Sequence, residues 1–176
     1  MTLKHFRSRR MSIEDRIKLI QDLIWKGVQD PRNRKLALEI TRQCPERDGE
    51  CEAQAIYRAI KRRVRYSGDV APVKMGHSGP TESVDLYQGA HRTWEIGAGD
   101  CDDASILAAT LLALNGITPK LRVTAQSPGG PWTHIYTLAG VPKNRPAKWL
   151  SIDTTLPGDK WFGRELPYGR KVDFAA

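Results

Sequence analysis

The stretch "GAGDCDDASILAATLLALNG", residues 97–116, sets a cysteine and two aspartates at the head of an apolar run. Ala104, Leu107, Leu111 and Leu114 recur at the spacing of one helical face, and Gly116 stands where a helix commonly ends on a left-handed residue. The pattern predicts a buried central helix beginning near Cys101. Backbone N–H groups in the first turn of a helix have no partner within it. The thiol therefore sits beside donors that are available to a bound group.

Upstream, SIEDRIKLIQDLIWKGVQDP places Ile13, Ile17, Ile20 and Ile24 on one helical face, with Ser12 as its cap, Asp15 near the capping-box position and Pro31 as its stop. A short helical run, RKLALEITRQ, follows. The next, ECEAQAIYRAIKRRVRY, turns Ala53, Ile56, Ile60 and Val64 inward and most of its Lys and Arg outward. Residues 67–96 show no sustained period and are punctuated by glycine and proline, which reads as an irregular connection forming one wall of a groove. His77 and His91 within it read as exposed, without metal-ligand spacing.

Downstream, KLRVTAQ, THIYTLAG and KWLSIDTT alternate as strands, and the short loops between them predict an antiparallel meander. Helices precede strands, so the fold class is α+β, with N-terminal helices and a cysteine-bearing central helix packed on an antiparallel sheet. A chain of 176 residues, 40% hydrophobic, is the size of one domain. We divide residues 1–176 into a basic tail (1–11), a helical part (12–66), the irregular connection (67–96), a core (97–155) and a C-terminal extension (156–176).

No run approaches the roughly 20 apolar residues that span a bilayer, and the basic N-terminus leads into charged sequence. The expectation is no membrane partner and a cytoplasmic location, with a virion as the alternative. Three cysteines are too few for a disulfide framework, and Cys44 and Cys51 read as ordinary reduced thiols, a bridge between them being the alternative. The net charge of +8, with basic clusters at Arg7, Arg9 and Arg10 and at Lys61, Arg62, Arg63 and Arg65, reads first as a solvated face and frayed tail. The alternative is weak nucleic-acid or acidic-protein contact through the basic N-terminal region.

His134 stands at the start of the second strand and Asp153 near the end of the third, and period-two alternation lets both face Cys101 across neighbouring strands. A thiol near its free pKa of about 8.5 is mostly protonated at neutral pH, and a helix N-terminus beside an imidazolium stabilises the thiolate. Cys101 would be the nucleophile, His134 the base and then the acid, and Asp153 the group orienting the ring. The Cys101 N–H would help to bind an oxyanion, worth on the order of 3 kcal/mol of barrier per donor. Asp102 and Asp103 oppose this by like-charge repulsion of a thiolate, or else favour the helix dipole.

GDCDDASILAATLLALNGITPKLRV, WTHIYTLAG and KWLSIDTT, in this order, resemble the transglutaminase-like superfamily of papain-fold cysteine enzymes, and AIYRAIKRRVRYSGD is similar to the helix that often precedes that core. The resemblance covers residues 97–155 and implies catalytic roles for Cys101, His134 and Asp153. The compact GDCDD form resembles small stand-alone members encoded by phages and prophages. Family members use an upstream side chain as a second oxyanion donor, for which this chain offers Gln88 or Trp94. Trp94, Trp132 and Trp161 are candidates for an acyl-chain groove, or else for covering the core.

The expected function is thiol-dependent acyl transfer on an amide of a protein or peptide, foremost peptide or isopeptide hydrolysis, with glutamine–lysine crosslinking or deamidation sharing its first half. It calls for no cofactor and no metal. The rival reading is a non-catalytic component of a phage particle or other assembly, contacting phage structural proteins, acidic protein or DNA.

Overall fold

Helix α1 (Ile13–Gln29) begins where the Ser12 hydroxyl accepts the Asp15 N–H at 3.1 Å and reaches the Asp15 carboxylate at 2.9 Å. The computed structural model describes residues 11–67 and 87–176 in full, and residues 3–7 and 84–86 by their backbone. Residues 68–83, His77 among them, lie outside the described residues, as do Arg9, Arg10 and the Arg7 side chain. Asp30 ends α1 and caps α2 (Pro31–Thr41) by accepting the Arg32 N–H at 2.9 Å. Pro31 thus opens a second helix as well as stopping the first, because the N–H that proline lacks has no helical partner in a first turn.

Helix α3 (Gly49–Arg63) is capped by Asp48, which accepts the Cys51 N–H at 2.9 Å. The turn before it corrects the expectation of reduced thiols, since Cys44 and Cys51 are joined by a disulfide, their Cα atoms 5.7 Å apart. The Asp48 N–H bonds to Pro45 O, and Arg47 adopts a positive φ of 63°. This fold-back brings the two sulfurs together, and their separation in sequence alone does not reveal it.

The expected irregular connection also needs correction. It carries strand β3 (Val84–Gln88) and helix α4 (Ala90–Ile96), flanked by the short strands β2 (Arg65–Tyr66) and β4 (Ala98–Gly99), which pair in parallel. Part of the basic tail forms β1 (Leu3–Arg7), antiparallel to β3 with Leu3 opposite Gln88. Elements this short have too few residues to display a period, and β3 is defined by a partner some eighty positions away. His91, expected to be exposed, is instead mostly buried, with its Nε2 3.2 Å from the Glu95 carboxylate.

Helix α5 (Cys101–Leu114) is the centre of the molecule. It packs against α1, α2, α3 and α4 on one side and against strands β5 (Pro119–Ala125) and β6 (His134–Val141) on the other. Every residue from Asp103 to Leu112 is buried, which is why the run is apolar on all faces rather than on one stripe. Leu107 and Leu111 are fully enclosed, so truncating either to alanine would cost about 2–5 kcal/mol. Gly116 ends the segment at a φ of 72°, in the left-handed region expected of it.

Strands β5, β6 and β7 (Lys148–Ile152) form the expected antiparallel meander. A fourth strand, β8 (Arg170–Ala175), extends the sheet to the order β7-β6-β5-β8. It lies in what read as a C-terminal extension, and its attachment is tertiary. The Arg122 guanidinium on β5 grips Asp173 through Nε and Nη2 at 2.6 and 2.7 Å. The architecture is a mixed helix-and-strand fold with an antiparallel sheet. No described helix is long and apolar enough to cross a membrane.

Candidate active site

The head of α5 is held in place before any chemistry is considered. Asp100 caps the helix by accepting the Asp103 N–H at 3.0 Å. The buried Asp103 carboxylate in turn accepts the Gln88 backbone N–H and the Gln88 side-chain amide, each at 2.7 Å. Gly99 makes room for this brace, because a Cβ there would stand 2.8 Å from Asp103 Cβ. Asp103 therefore pins the end of β3 to the head of α5, whereas Asp102 lines the cleft beside Cys101.

Strand β6 is fastened to the same helix. The Thr137 hydroxyl donates to Ser105 O at 3.0 Å, and the Ser105 hydroxyl donates to Cys101 O at 2.7 Å and lies 3.3 Å from Ile135 O. The contacts of Thr137 and Ile135 with Ser105 fix the height of β6 against α5, while the bond to Cys101 O lies within the helix. At the head of that strand stands His134. Its Nε2 is 2.7 Å from Asp153 Oδ2, with the Asp153 side chain 2% exposed. The other Asp153 oxygen accepts the Thr155 N–H at 3.1 Å and the Thr155 hydroxyl at 2.7 Å. The carboxylate can rotate only by breaking one of these bonds.

Cys101 and His134 line one cleft of ≈ 220 Å³, together with Trp132. Ile13, Ile17 and Ile20 of α1 and Tyr87 form much of the rest, and Arg16, Asp100 and Asp102 contribute charge to the same lining. Burial, then the Asp102 and Asp100 carboxylates, push the Cys101 thiol well above its ordinary value; the backbone N–H groups of Ile135 and of Cys101 itself act against this but do not offset it. This shift runs opposite to the lowering expected of a thiol at a helix N-terminus. Desolvation and two carboxylates outweigh the helix N-terminus.

The remaining sequence candidates separate. Gln88 spends its amide on Asp103 and, at 3.3 Å, on Ala98 O, so the proposed oxyanion donor is occupied as a brace. Trp94 lies away from the thiol cleft, where Arg63 Nε donates to its carbonyl and the guanidinium lies 6.0 Å from its ring centre. Trp161 is likewise outside the cleft, its indole N–H donating to Pro157 O at 2.9 Å. Of the tryptophans, Trp132 alone lines the cleft among the described residues, with Arg170 stacked 3.8 Å from its ring centre.

Two residues at the site were not anticipated. Thr155 was visible in IDTT, where a threonine two positions after an aspartate offers a local side-chain hydrogen bond. Tyr168 carried no such signal. Its ring lies 6.2 Å from that of His134 and 6.1 Å from that of Tyr136, and burial, then the charge of Asp153, push its phenol up to about 12. Part of the basic cluster is structural too, since Lys61 donates to Thr154 O at 3.1 Å and to Leu156 O, fastening the loop just after Asp153.

No family model matches the chain, and no curated protein matches it. Among solved structures, it is similar to the crystal structure of a "Putative Cysteine Protease from Cytophaga hutchinsonii", with a TM-score of 0.51 and 17% identity. The superposition covers 97% of this chain and 54% of that one, so this chain spans about half the length of its structural neighbour. The likeness at that identity is one of fold.

Proposed function

We propose that the chain is a thiol-dependent acyl transferase of transglutaminase-like type, cleaving an amide of a peptide or isopeptide. The observation that carries this reading is the 2.7 Å contact between His134 Nε2 and Asp153 Oδ2 in a ring that shares a cleft with Cys101. Resemblance in fold to a structure bearing a cysteine-protease name adds support.

With Nε2–H donated to Asp153, the ring nitrogen left for the thiol proton is Nδ1. Because the thiol is held neutral, proton transfer to Nδ1 accompanies sulfur attack on the amide carbon rather than preceding it. The C–S bond forms, the carbonyl oxygen gains charge, and the Cys101 backbone N–H at the head of α5 would be a donor to it. His134 then returns the proton to the departing amine, leaving a thioester. Water or a second amine completes hydrolysis or transamidation.

The test is to incubate the oxidised full chain with a diverse set of peptide aminomethylcoumarin amides, and with casein plus a dansylated amine, and to search Cys101 for an acyl adduct by mass spectrometry. We expect product or adduct from the native chain and neither from Cys101→Ala or His134→Ala. Equal product from native and Cys101→Ala chains, or no product and no adduct from any, overturns the proposal. The raised thiol favours a second reading, a non-catalytic interaction protein, and the same null result would support it.

A further inference from the structure

Helices α2 and α3 form a hairpin stapled at its turn by the Cys44–Cys51 disulfide. Between them lies a hollow of ≈ 850 Å³ that shares no lining residue with the Cys101 cleft. Its floor is apolar: Leu36 and Ile40 come from α2, Ala55 and Ala59 from α3. Its rim is cationic, since Arg42, Arg58 and Arg62 are exposed and none of their side chains makes an ion pair or hydrogen bond with a described residue. Glu39 is the one carboxylate among the lining residues.

The far end is closed by Arg63 and Trp94. Arg63 is committed there, donating to Trp94 O and Glu95 O at 3.1 Å each. From Cys51 to Arg63 the groove runs about 18 Å at the helical rise, the length of roughly three turns of a docked helix. Four arginines against one carboxylate call for an anionic ligand, and the apolar floor calls for one that also carries hydrocarbon. A nucleic-acid backbone would neutralise the rim but leave the floor covered by sugar and phosphate. An acidic helix with aliphatic residues on one face satisfies both at once.

We propose that the α2–α3 groove is a docking site for an acidic amphipathic helix of a partner protein. The ligand's aliphatic stripe lies on Leu36, Ile40, Ala55 and Ala59, and its carboxylates meet Arg42, Arg58 and Arg62. The site is independent of the reading of Cys101, because neither the floor nor the rim belongs to the thiol cleft.

The experiment measures fluorescence anisotropy with the full oxidised chain and a fluorescein-labelled peptide of about 15 residues, glutamates on one face and leucines on the other. The comparators are a peptide of identical composition with its leucines dispersed around the helix, and labelled single-stranded and duplex DNA. We expect saturable binding of the amphipathic peptide, weakened by salt and at least about tenfold tighter than that of the dispersed one. The double variant Arg58→Glu/Arg62→Glu should lose about tenfold or more in affinity, and Ala55→Glu, which fills the floor from a half-exposed position, should lose a similar amount. Circular dichroism checks that each variant folds, and should the double reversal not fold, Ala55→Glu and the dispersed peptide decide. No binding of the amphipathic peptide by the native chain at low salt overturns the proposal. So does equal binding of the two peptides, affinity indifferent to the folded variants, or DNA binding tighter than the peptide, which would make the groove a nucleic-acid site.

Discussion

His134 and Asp153, joined through Nε2 and Oδ2 at 2.7 Å, are brought together from adjacent strands of the sheet, and Thr155 holds the remaining carboxylate oxygen. The pairing leaves Nδ1 as the ring nitrogen that Asp153 does not hold. If the cleft performs acyl transfer, Asp153→Asn should lower kcat by about 10²–10⁴-fold while leaving KM within a few-fold. Thr155→Val should give a smaller loss in the same parameter. Steady-state kinetics on any substrate found for the native chain checks both, and unchanged kcat in Asp153→Asn would exclude an orienting role.

The Cys101 thiol, raised by burial and by Asp102 and Asp100, should alkylate slowly at neutral pH. The sign is fixed by that upward shift: at pH 7 the thiolate fraction lies below that of a free thiol, and it grows about tenfold per pH unit with no plateau through pH 9. Asp102→Asn removes a repelling charge and should speed labelling by iodoacetamide several-fold at pH 8. A rate that levels off below pH 8 would mean a thiolate already formed.

Gln88 distinguishes a brace from an oxyanion donor. Bonded to Asp103 through both backbone and side chain, it should on replacement by alanine cost about 1–3 kcal/mol of stability, by leaving a buried carboxylate short of a donor. Thermal unfolding of Gln88→Ala measures this. A donor to an oxyanion would instead lower kcat by about 10²–10³-fold with the melting temperature unmoved.

The disulfide closes a short loop, for which chain-entropy arguments give about 2–3 kcal/mol of stabilisation. Cys44→Ser/Cys51→Ser, or mild reduction of the native chain, should lower the melting temperature accordingly. Cys101 should then be the one cysteine that alkylates without a reductant. Three labelled cysteines in the unreduced chain would contradict the bridge.

Arg122 ties β8 to β5. Its hydrogen bonds hold the Asp173 carboxyl below the usual carboxylate range, so the pair's contribution is present above the unfolded value near 3.9 and lost as pH falls through the lower folded value. The native melting temperature should therefore drop more steeply between pH 5 and 2.5 than that of Arg122→Met. Parallel curves would show that this ion pair adds nothing to stability.

The helical and strand patterns legible in the chain are those whose physical cause is local. Ser12 and Asp15 cap α1 through bonds three residues apart, Gly116 ends its segment because a left-handed backbone favours glycine, and alternation marks β5, β6 and β7. The residue types of the candidate site, Cys101, His134 and Asp153, were readable as well, since each sits at the end of a periodic element. Tertiary structure alone decided what depends on partners distant in the chain. It paired β1 with β3 and β8 with β5, closed the Cys44–Cys51 bridge through a fold-back turn, and turned Gln88 toward Asp103 instead of the cleft. It also set the direction in which the thiol's pKa is shifted. A cysteine's sequence neighbours suggest a helix dipole, but the desolvation that raises its pKa comes from the packing of α1, β3 and β6 around it, and periodicity along one segment does not carry that information.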